Sequence, residues 1–320
     1  MGARGAGAAA LCCRVYVTEG RSVEVLGRLE AAARGAPGCA LAHVHRDPEY
    51  HRTGFTLAAG LRDDLAGGAV RLARAALAEL RRGGRASEVA SHPRLGAVDH
   101  ISFHAVPVPG TGGKCGEGAA KAAEVAAREA ATALGEGPLA VPVHLYGGCH
   151  PRGRTLAALR RELGYFTGRE CGDSGGVSVG GASSDPEWEG SFSRYAGLTP
   201  DFGPDLPPGD LGVMCVGAVP WLVNYNVTLE TADVAVGRSV ARAVSSRGGG
   251  LPGVQAMALR HGEGLEVACN LTDPERAGPA EVLRRVRGLA DEAGVAVGAA
   301  YSIGPGPEEL LALVDPNRHR

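Results

Sequence analysis

Aromatic residues are scarce in this sequence, at 4% of its 320 residues. A hydrophobic core must therefore be built mainly from Val, Leu and Ala, since hydrophobic residues still make up 44% of the chain. No apolar run reaches the roughly 18 residues that a membrane-spanning helix needs. No long basic run occurs either, and the formal net charge is −2. These absences argue against a membrane protein and against nucleic acid as the main partner.

Cysteines at metal-binding or redox spacing are also missing, because none of the eight cysteines forms a CxxC pair. Buried free thiols in a reducing compartment are the simplest interpretation. The N-terminal apolar stretch is short and continues directly into Val15 and Val17, so we expect no signal peptide and a cytoplasmic protein. No GxGxxG opens the first predicted helix and no GxxxxGK(S/T) is present, which argues against dinucleotide and P-loop sites.

Short β-branched runs alternate along the chain with Ala-, Leu- and Arg-rich segments of helical period. The predicted strands span residues 12–18, 39–45, 53–59, 99–107, 139–146, 211–217, 221–229, 254–260, 265–271 and 296–302. The predicted helices span residues 22–34, 64–82, 116–134, 154–162, 232–246, 277–292 and 307–314. Each half mixes adjacent strands with helix crossovers. We therefore predict an α/β fold, α+β-like, of two subdomains that are each a mixed β-sheet with helices packed on it.

Residues 167–198 differ from both halves because they are rich in Gly, Ser and acidic residues. Such a composition indicates a flexible inter-domain loop, or a lid, rather than a packed element. The N-terminal subdomain is therefore predicted to span residues 1–198, with this loop at its end, and the C-terminal subdomain residues 199–320.

The segment with the strongest chemical character spans residues 91–100 and reads SHPRLGAVDH. Pro93 keeps the residue before it out of the helical region and fixes the chain direction. Imidazole titrates near neutral pH, and a guanidinium binds carboxylate through two hydrogen bonds. His92 beside Arg94 therefore indicates acid/base chemistry on an anionic substrate, with a structural turn as the alternative. Arg52, near other histidines in the sequence, is a second candidate for a substrate-carboxylate contact.

Two Pro- and Gly-rich segments are candidates for ligand-binding loops. Residues 200–210 (PDFGPDLPPGD) form a stiff loop before a strand, and a stiff loop needs little ordering when a ligand binds. Residues 248–255 (GGGLPGVQ) expose consecutive backbone N–H groups that can bind a ligand oxygen. A plain crossover and a plain helix-to-strand turn are the structural alternatives.

A group of histidines raises a metal site as a further alternative. His43 and His45 share a strand face, as metal ligands often do, and His51 follows shortly after them. Acidic partners are few, since only Asp47 and Glu49 lie nearby. We therefore expect no metal, and a metal-dependent hydrolase is the weaker alternative.

Taken in order, these segments resemble the formiminotransferase part of the formimidoyltransferase-cyclodeaminase family, and particularly its stand-alone plant members. The matching segments are HPRLGAVD at 92–99, VPVHLYG at 141–147, PDFGP at 200–204, GA at 217–218, NYNV at 224–227, GLPGVQAM at 250–257 and NLTD at 270–273. The family's helical cyclodeaminase domain has no counterpart here, so we expect no ammonia-releasing step.

The resemblance implies two α/β subdomains with a folate cleft between them. It also implies transfer of a formimino group from N-formimino-glutamate to tetrahydrofolate. The expected partners are therefore small molecules, and a homodimer is possible. His92 matches the catalytic histidine of the family. The folate-contacting residues carried over by motif are Gly203, Pro204, Asp205, Gly209, Gly212, Gly250, Leu251, Gly253, Val254 and Gln255.

Two positions depart from the family pattern. Tyr16 stands where the family has Asn, and His45 stands where the family has an Asp in the next strand. The folate cleft can therefore survive while the one-carbon donor changes. A folate-binding protein without transfer activity is accordingly the main alternative to the transferase.

Overall fold

The computed structural model describes residues 9–83, 92–164, 198–208 and 211–315. Almost all of the predicted loop at 167–198, and the candidate Gly209, lie outside the described residues. The described residues form two compact units. The first runs up to Val219 and takes in the residues from Gly306 onward, and the second is Pro220–Pro305.

The described residues contain ten strands, seven α-helices and one short 3-10 helix, Ser246–Gly248. The strands are β1 (Ala10–Val17), β2 (Ala40–Asp47), β3 (Arg52–Gly60), β4 (Val98–Ala105), β5 (Val143–Gly147), β6 (Met214–Ala218), β7 (Val223–Leu229), β8 (Val254–His261), β9 (Gly264–Leu271) and β10 (Val297–Ile303). The helices are α1 (Val23–Arg34), α2 (Leu65–Gly83), α3 (Ala119–Leu134), α4 (Leu156–Glu162), α5 (Val234–Val244), α6 (Pro279–Glu292) and α7 (Pro307–Leu313). Each overlaps a predicted element, which confirms the α/β prediction. None of these helices is both long and apolar enough to cross a membrane.

The first unit is built on a six-stranded sheet in the order β2-β3-β1-β4-β6-β5. The pairs among β2, β3, β1 and β4 are antiparallel, whereas β6 runs parallel to both β4 and β5, so this sheet is mixed as predicted. One face packs against α1, α2 and α3. The helix α3 buries six alanines and Leu134, so small aliphatic side chains replace the missing aromatics in this core.

The opposite face of the same sheet is polar near its centre, and we call it the polar face. Side chains alternate between the two faces of a strand. Since Cys13 and Val15 lie in the core, Arg14 and Tyr16 point to the other side. In β4 they pair with Ser102 and His100, respectively.

The second unit is a four-stranded sheet in the order β10-β7-β9-β8, with α5 and α6 packed against it. All three strand pairs are antiparallel, whereas mixed pairing was predicted. The reason is that β9 forms a hairpin with β8 and also pairs with β7, so both of its neighbours run opposite to it. A helix crossover therefore does not produce a parallel pair here.

The observed division after Val219 differs from the predicted subdomain boundary at 198/199. The strand β6 lies between β4 and β5 and is hydrogen-bonded to both, which places it in the first unit. From the sequence alone, β6 is assigned to the next subdomain because it follows the long predicted loop at 167–198. The C-terminal helix α7 also belongs to the first unit, where it contacts β1 and β2.

Backbone hydrogen bonds join the segment before β4 to the segment before β6. Gly96 and Gly212 form an isolated antiparallel bridge. On either side, Ala97 N donates to Leu211 O at 2.9 Å, and the N–H of the residue after Gly212 donates to Leu95 O at 3.1 Å. A Cβ on Gly96 would lie 2.2 Å from the carbonyl oxygen of Val213, so only glycine fits.

We predict that Gly96→Ala destabilises the protein by about 1–3 kcal/mol, the usual cost of forcing extra volume into a packed site. Urea denaturation would measure the change in the free energy of unfolding. Gly288→Ala is the matched control, since a Cβ there meets nothing within 4 Å on the exposed side of α6. It should be neutral or slightly stabilising, because alanine is the better helix former. Equal effects of the two changes would contradict the close-packing interpretation.

Candidate active site

His92 lies in the turn before β4, and its half-buried ring is held from two sides. Its Nδ1 lies 2.7 Å from the carbonyl oxygen of Pro93. The ring of Tyr50 meets it edge-on, with 5.2 Å between centroids. Because a carbonyl oxygen can only accept a hydrogen bond, Nδ1 must carry the proton. The other ring nitrogen, Nε2, then has the lone pair and can accept a proton.

A fully buried carboxylate, Asp99, anchors the residues around this turn. Its Oδ1 accepts a hydrogen bond from the backbone N–H of Leu95 at 2.8 Å. Its Oδ2 accepts from Arg52 at 2.9 Å and from Arg160 at 2.8 Å. The contacts join the start of β3, the turn before β4 and the helix α4. Both guanidiniums are largely buried, at 11% and 13% exposed, so this cluster is a built part of the fold.

His100 lies at the same cluster, on the polar face. Its ring is stacked on Tyr16, with 4.4 Å between centroids and 16° between planes. The guanidinium of Arg52 lies 4.8 Å above the Tyr16 ring, within the range of a cation–π contact. Tyr16, one of the two departures from the family pattern, therefore packs between an imidazole and an arginine of the site.

The electrostatics of the cluster keep both imidazoles neutral. Burial, and then the positive charge of Arg52, lower the pKa of His92 to about 3. Burial, and then the charge of Arg160, lower the pKa of His100 to about 3. For Asp99, burial would raise the pKa, but Arg52 and Arg160 together hold it well below its usual range. The group therefore contains two guanidinium cations, one carboxylate and two neutral imidazoles near neutral pH.

The predicted carboxylate-binding arginines have different surroundings. Arg94 is half-buried two residues after His92. One terminal nitrogen of Arg52 donates a hydrogen bond to Asp99, while the other terminal nitrogen lies 3.4 Å from His92 Nδ1. That second contact joins two donors, since Nδ1 carries a proton, so it is a repulsive contact and not a hydrogen bond.

Arg160 is the residue that sequence reasoning missed, because most arginines lie on a solvated surface and nothing in the sequence sets this one apart. The structure buries it against Asp99, which lies 61 positions earlier in the chain. Its position on a predicted helix, followed by the charged Arg161 and Glu162, gave no separate signal. Asp99 and His100 were within the recognised motif but were not assigned a role.

The histidines of the alternative metal site do not come together as a ligand set. His43 and His45 are 6.4 Å apart between ring centroids. His51 is fully buried, and its Nδ1 accepts a hydrogen bond from Gly20 N at 3.1 Å. Among the residues that the structure describes, no three His, Cys, Asp or Glu side chains converge as metal ligands would.

The predicted folate-contacting residues fall into both units. Gly212 lies beside the His92 turn through its bridge to Gly96. Gly203 follows Phe202, which bridges to Val143, and the residues Pro204 and Asp205 after it are exposed. In the second unit, the predicted residues form the turn that leads into β8 and the first residues of that strand. These residues are Gly250, Leu251, Gly253, Val254 and Gln255.

Comparison with known proteins identifies the family. Residues 10–219 match the model of the formiminotransferase domain, N-terminal subdomain. This range ends at Val219, where the first of the two chain stretches that form the first compact unit also ends. The chain is also 36% identical, over 94% of its length and 94% of the other protein, to a formiminotransferase cyclodeaminase-like protein of Arabidopsis thaliana. The chain belongs to the formiminotransferase family. It is a transferase of this kind.

More distant members extend the similarity. A glutamate formimidoyltransferase of Thermoplasma acidophilum is 27% identical over 93% of this chain and 88% of its own length. The formimidoyltransferase-cyclodeaminase of Sus scrofa is 30% identical over 95% of this chain, which spans 51% of that protein. The formiminotransferase similarity thus includes both units, while the pig protein has a further half that this chain does not match.

We predict that Asp99→Asn costs about 3–5 kcal/mol in the free energy of unfolding, because it leaves two buried guanidiniums without their carboxylate. Urea denaturation of the variant and the wild type measures the loss. The control is Glu24→Gln, which removes a carboxylate paired with Arg28 on the surface of α1. Its stability should match that of the wild type. A similarly small effect at Asp99 would show that the cluster is not an anchor.

Proposed function

We propose that this member of the formiminotransferase family transfers a formimidoyl group from N-formimino-glutamate to tetrahydrofolate. The observation that carries the proposal is the state of His92. The carbonyl oxygen of Pro93 accepts a hydrogen bond from Nδ1–H, with 2.7 Å between nitrogen and oxygen, which leaves Nε2 as the neutral, unprotonated nitrogen at physiological pH. Membership of the family supplies the reaction class, and the folate enters as a substrate.

In the proposed mechanism, a nitrogen of the reduced folate attacks the amidine carbon of the donor. As the new C–N bond forms, the C=N electron pair moves to the nitrogen, and Nε2 of His92 accepts the proton from the attacking nitrogen. His92 then returns this proton to the glutamate nitrogen. The electron pair on the imino nitrogen re-forms the C=N bond, now on the folate, as the bond between the carbon and the glutamate nitrogen breaks and glutamate leaves as its amine. General acid–base help of this kind contributes about 10²–10⁴-fold.

The charge of the cluster supports an anionic substrate beside His92. Two guanidiniums face one carboxylate at Asp99, which leaves a positive excess near the imidazole. We propose that Arg52 and Arg94 bind a carboxylate of the glutamate donor or of the folate tail. A guanidinium suits this role because its planar N–H groups match the two carboxylate oxygens.

For the folate we propose the loop and turn residues carried over from the family. Gly203, Gly212 and Gly253 adopt positive φ angles of 92°, 65° and 74°. Such angles turn backbone N–H groups in directions that a residue with a Cβ rarely reaches. The full set proposed is Gly203, Pro204, Asp205, Gly209, Gly212, Gly250, Leu251, Gly253, Val254 and Gln255. A cleft that holds the folate stays a prediction.

We predict that His92→Ala lowers kcat by about 10²–10⁴-fold while the affinity for tetrahydrofolate changes little, since the base acts only in the transfer step. Steady-state turnover assays with N-formimino-glutamate give kcat, and calorimetry gives the affinity for tetrahydrofolate. His261→Ala, at the end of β8, is the control histidine and should keep full activity. Unchanged turnover in His92→Ala would remove His92 from the role of base.

A second prediction concerns pH. The positive charge of Arg52 helps to lower the pKa of His92, so Arg52→Gln should raise that pKa toward its ordinary value. In the wild type the base is deprotonated throughout the range from pH 5 to 8, and in the variant it becomes protonated at a higher pH. NMR titration of the His92 ring and the acid limb of kcat/KM against pH measure the shift. An unchanged or lowered titration midpoint would contradict the electrostatic account.

Folate binding without transfer is the second candidate, and the position of Tyr16 favours it. Its ring is packed against His100 and Arg52, next to the proposed donor site. If the Tyr16 ring makes the donor pocket too small for the formimidoyl donor, the proposed folate-binding residues are still in place and can bind folate. Calorimetry with reduced folates, run beside the transfer assay, separates the two functions, because tight binding without turnover selects the binding protein.

A further inference from the structure

The polar contacts of the His100 side chain are all made by one ring nitrogen. Its Nδ1 lies 3.0 Å from Arg160, 3.2 Å from Arg52 and 3.1 Å from Asp99 Oδ2. The described residues offer no hydrogen-bond partner to Nε2. Stacking on Tyr16 fixes the plane of the ring.

The number of lone pairs at Asp99 decides which nitrogen of His100 carries the proton. A carboxylate oxygen accepts about two hydrogen bonds, and Oδ2 already accepts from Arg52 at 2.9 Å and from Arg160 at 2.8 Å. A third donor on the same oxygen would exceed that capacity. Each terminal guanidinium nitrogen has a second N–H, however, and a bare Nδ1 can accept one. Protonation on Nδ1 would set that N–H against two guanidinium donors, whereas protonation on Nε2 leaves a single contact between acceptors, Nδ1 and Asp99 Oδ2 at 3.1 Å. The more consistent arrangement has His100 protonated on Nε2.

His92 and His100 are therefore held in opposite tautomers around one guanidinium. The carbonyl of Pro93 places the proton of His92 on Nδ1. The guanidiniums of Arg52 and Arg160 place the proton of His100 on Nε2. One imidazole thus presents a lone pair and the other presents an N–H donor.

The local charge indicates what the N–H of His100 binds. The side chains in direct contact comprise two guanidinium cations and one carboxylate, and Arg52 has N–H groups beyond those bonded to Asp99. An N–H donor beside an excess of positive charge suits an anionic oxygen. Charge-assisted hydrogen bonds to such an oxygen are stronger than those between neutral groups.

We propose that His100 is a second substrate-contacting histidine, whose Nε2–H binds a carboxylate oxygen of the substrate together with Arg52 while His92 acts as the base. This inference rests on the proposed function, since the carboxylate belongs to the glutamate donor or to the folate tail. It also assigns a purpose to Tyr16, which holds the plane of the His100 ring.

The first test uses no substrate. The full chain, labelled with ¹⁵N-histidine, is studied by two-bond ¹H–¹⁵N correlation at pH 7, and His92→Gln and His100→Gln provide the assignments. We expect the His100 signals of the Nε2–H tautomer and the His92 signals of the Nδ1–H tautomer. An Nδ1–H tautomer at His100 would overturn the proposal.

The second test compares His100→Leu with His100→Gln, whose side-chain amide keeps an N–H near the position of Nε2. Calorimetry measures the affinities for N-formimino-glutamate and for polyglutamylated tetrahydrofolate. We expect His100→Leu to weaken binding of one of these carboxylates by about 10–100-fold, as loss of a hydrogen bond to a charged group does. His100→Gln should recover most of that affinity, and His261→Leu, the control, should lose none.

The outcomes separate this inference from the proposed function. Carboxylate binding that depends on His100 in a protein without transfer activity would overturn the proposed reaction and leave the role of His100 standing. Affinities that do not change in His100→Leu, or a wild type that binds neither carboxylate, would overturn the role of His100. A loss that His100→Gln does not recover would show that the ring only supports the fold.

Discussion

The buried carboxylate of Asp99 is the interaction on which the candidate site depends. It accepts hydrogen bonds from the backbone N–H of Leu95, from Arg52 on β3 and from Arg160 on α4. A single side chain therefore joins three separate parts of the first unit. A carboxylate without exposed surface is costly unless its hydrogen bonds are complete. The two arginines and the backbone donor give both oxygens of Asp99 hydrogen-bond partners, and the turn that carries His92 is fixed as a consequence.

The ion pairs of Asp99 with Arg52 and Arg160 also control the protonation of the two imidazoles, His92 and His100. Two cations around one anion leave a positive excess, and this excess opposes a further positive charge on either ring. A histidine in such a place is deprotonated at neutral pH, so its lone pair is available, but its low pKa also makes it a weak base. The proton that it delivers to a leaving group must therefore be one that it has just received, as the proposed transfer requires.

The two departures from the family pattern differ in their structural consequences. Tyr16 is part of the cluster, because its ring lies between His100 and the Arg52 guanidinium. A Cβ on Gly54 would lie 3.0 Å from the Tyr16 ring, so the neighbouring strand leaves room for that ring through a glycine. His45 instead lies near His43 on β2, an edge strand of the first sheet. Any change in donor specificity is therefore better sought at Tyr16 than at His45.

The sequence by itself determined the local structure, because hydrophobic period, Pro and Gly act over a few residues. It predicted every described strand and helix, and it identified His92 in a proline-stiffened turn. Only the tertiary structure decided that β6 belongs to the first sheet and that Arg160 meets Asp99. Both depend on hydrogen bonds or ion pairs between residues far apart in the chain, which no local pattern records. The tautomers of His92 and His100 follow from those contacts, so they too became visible only when the chain was folded.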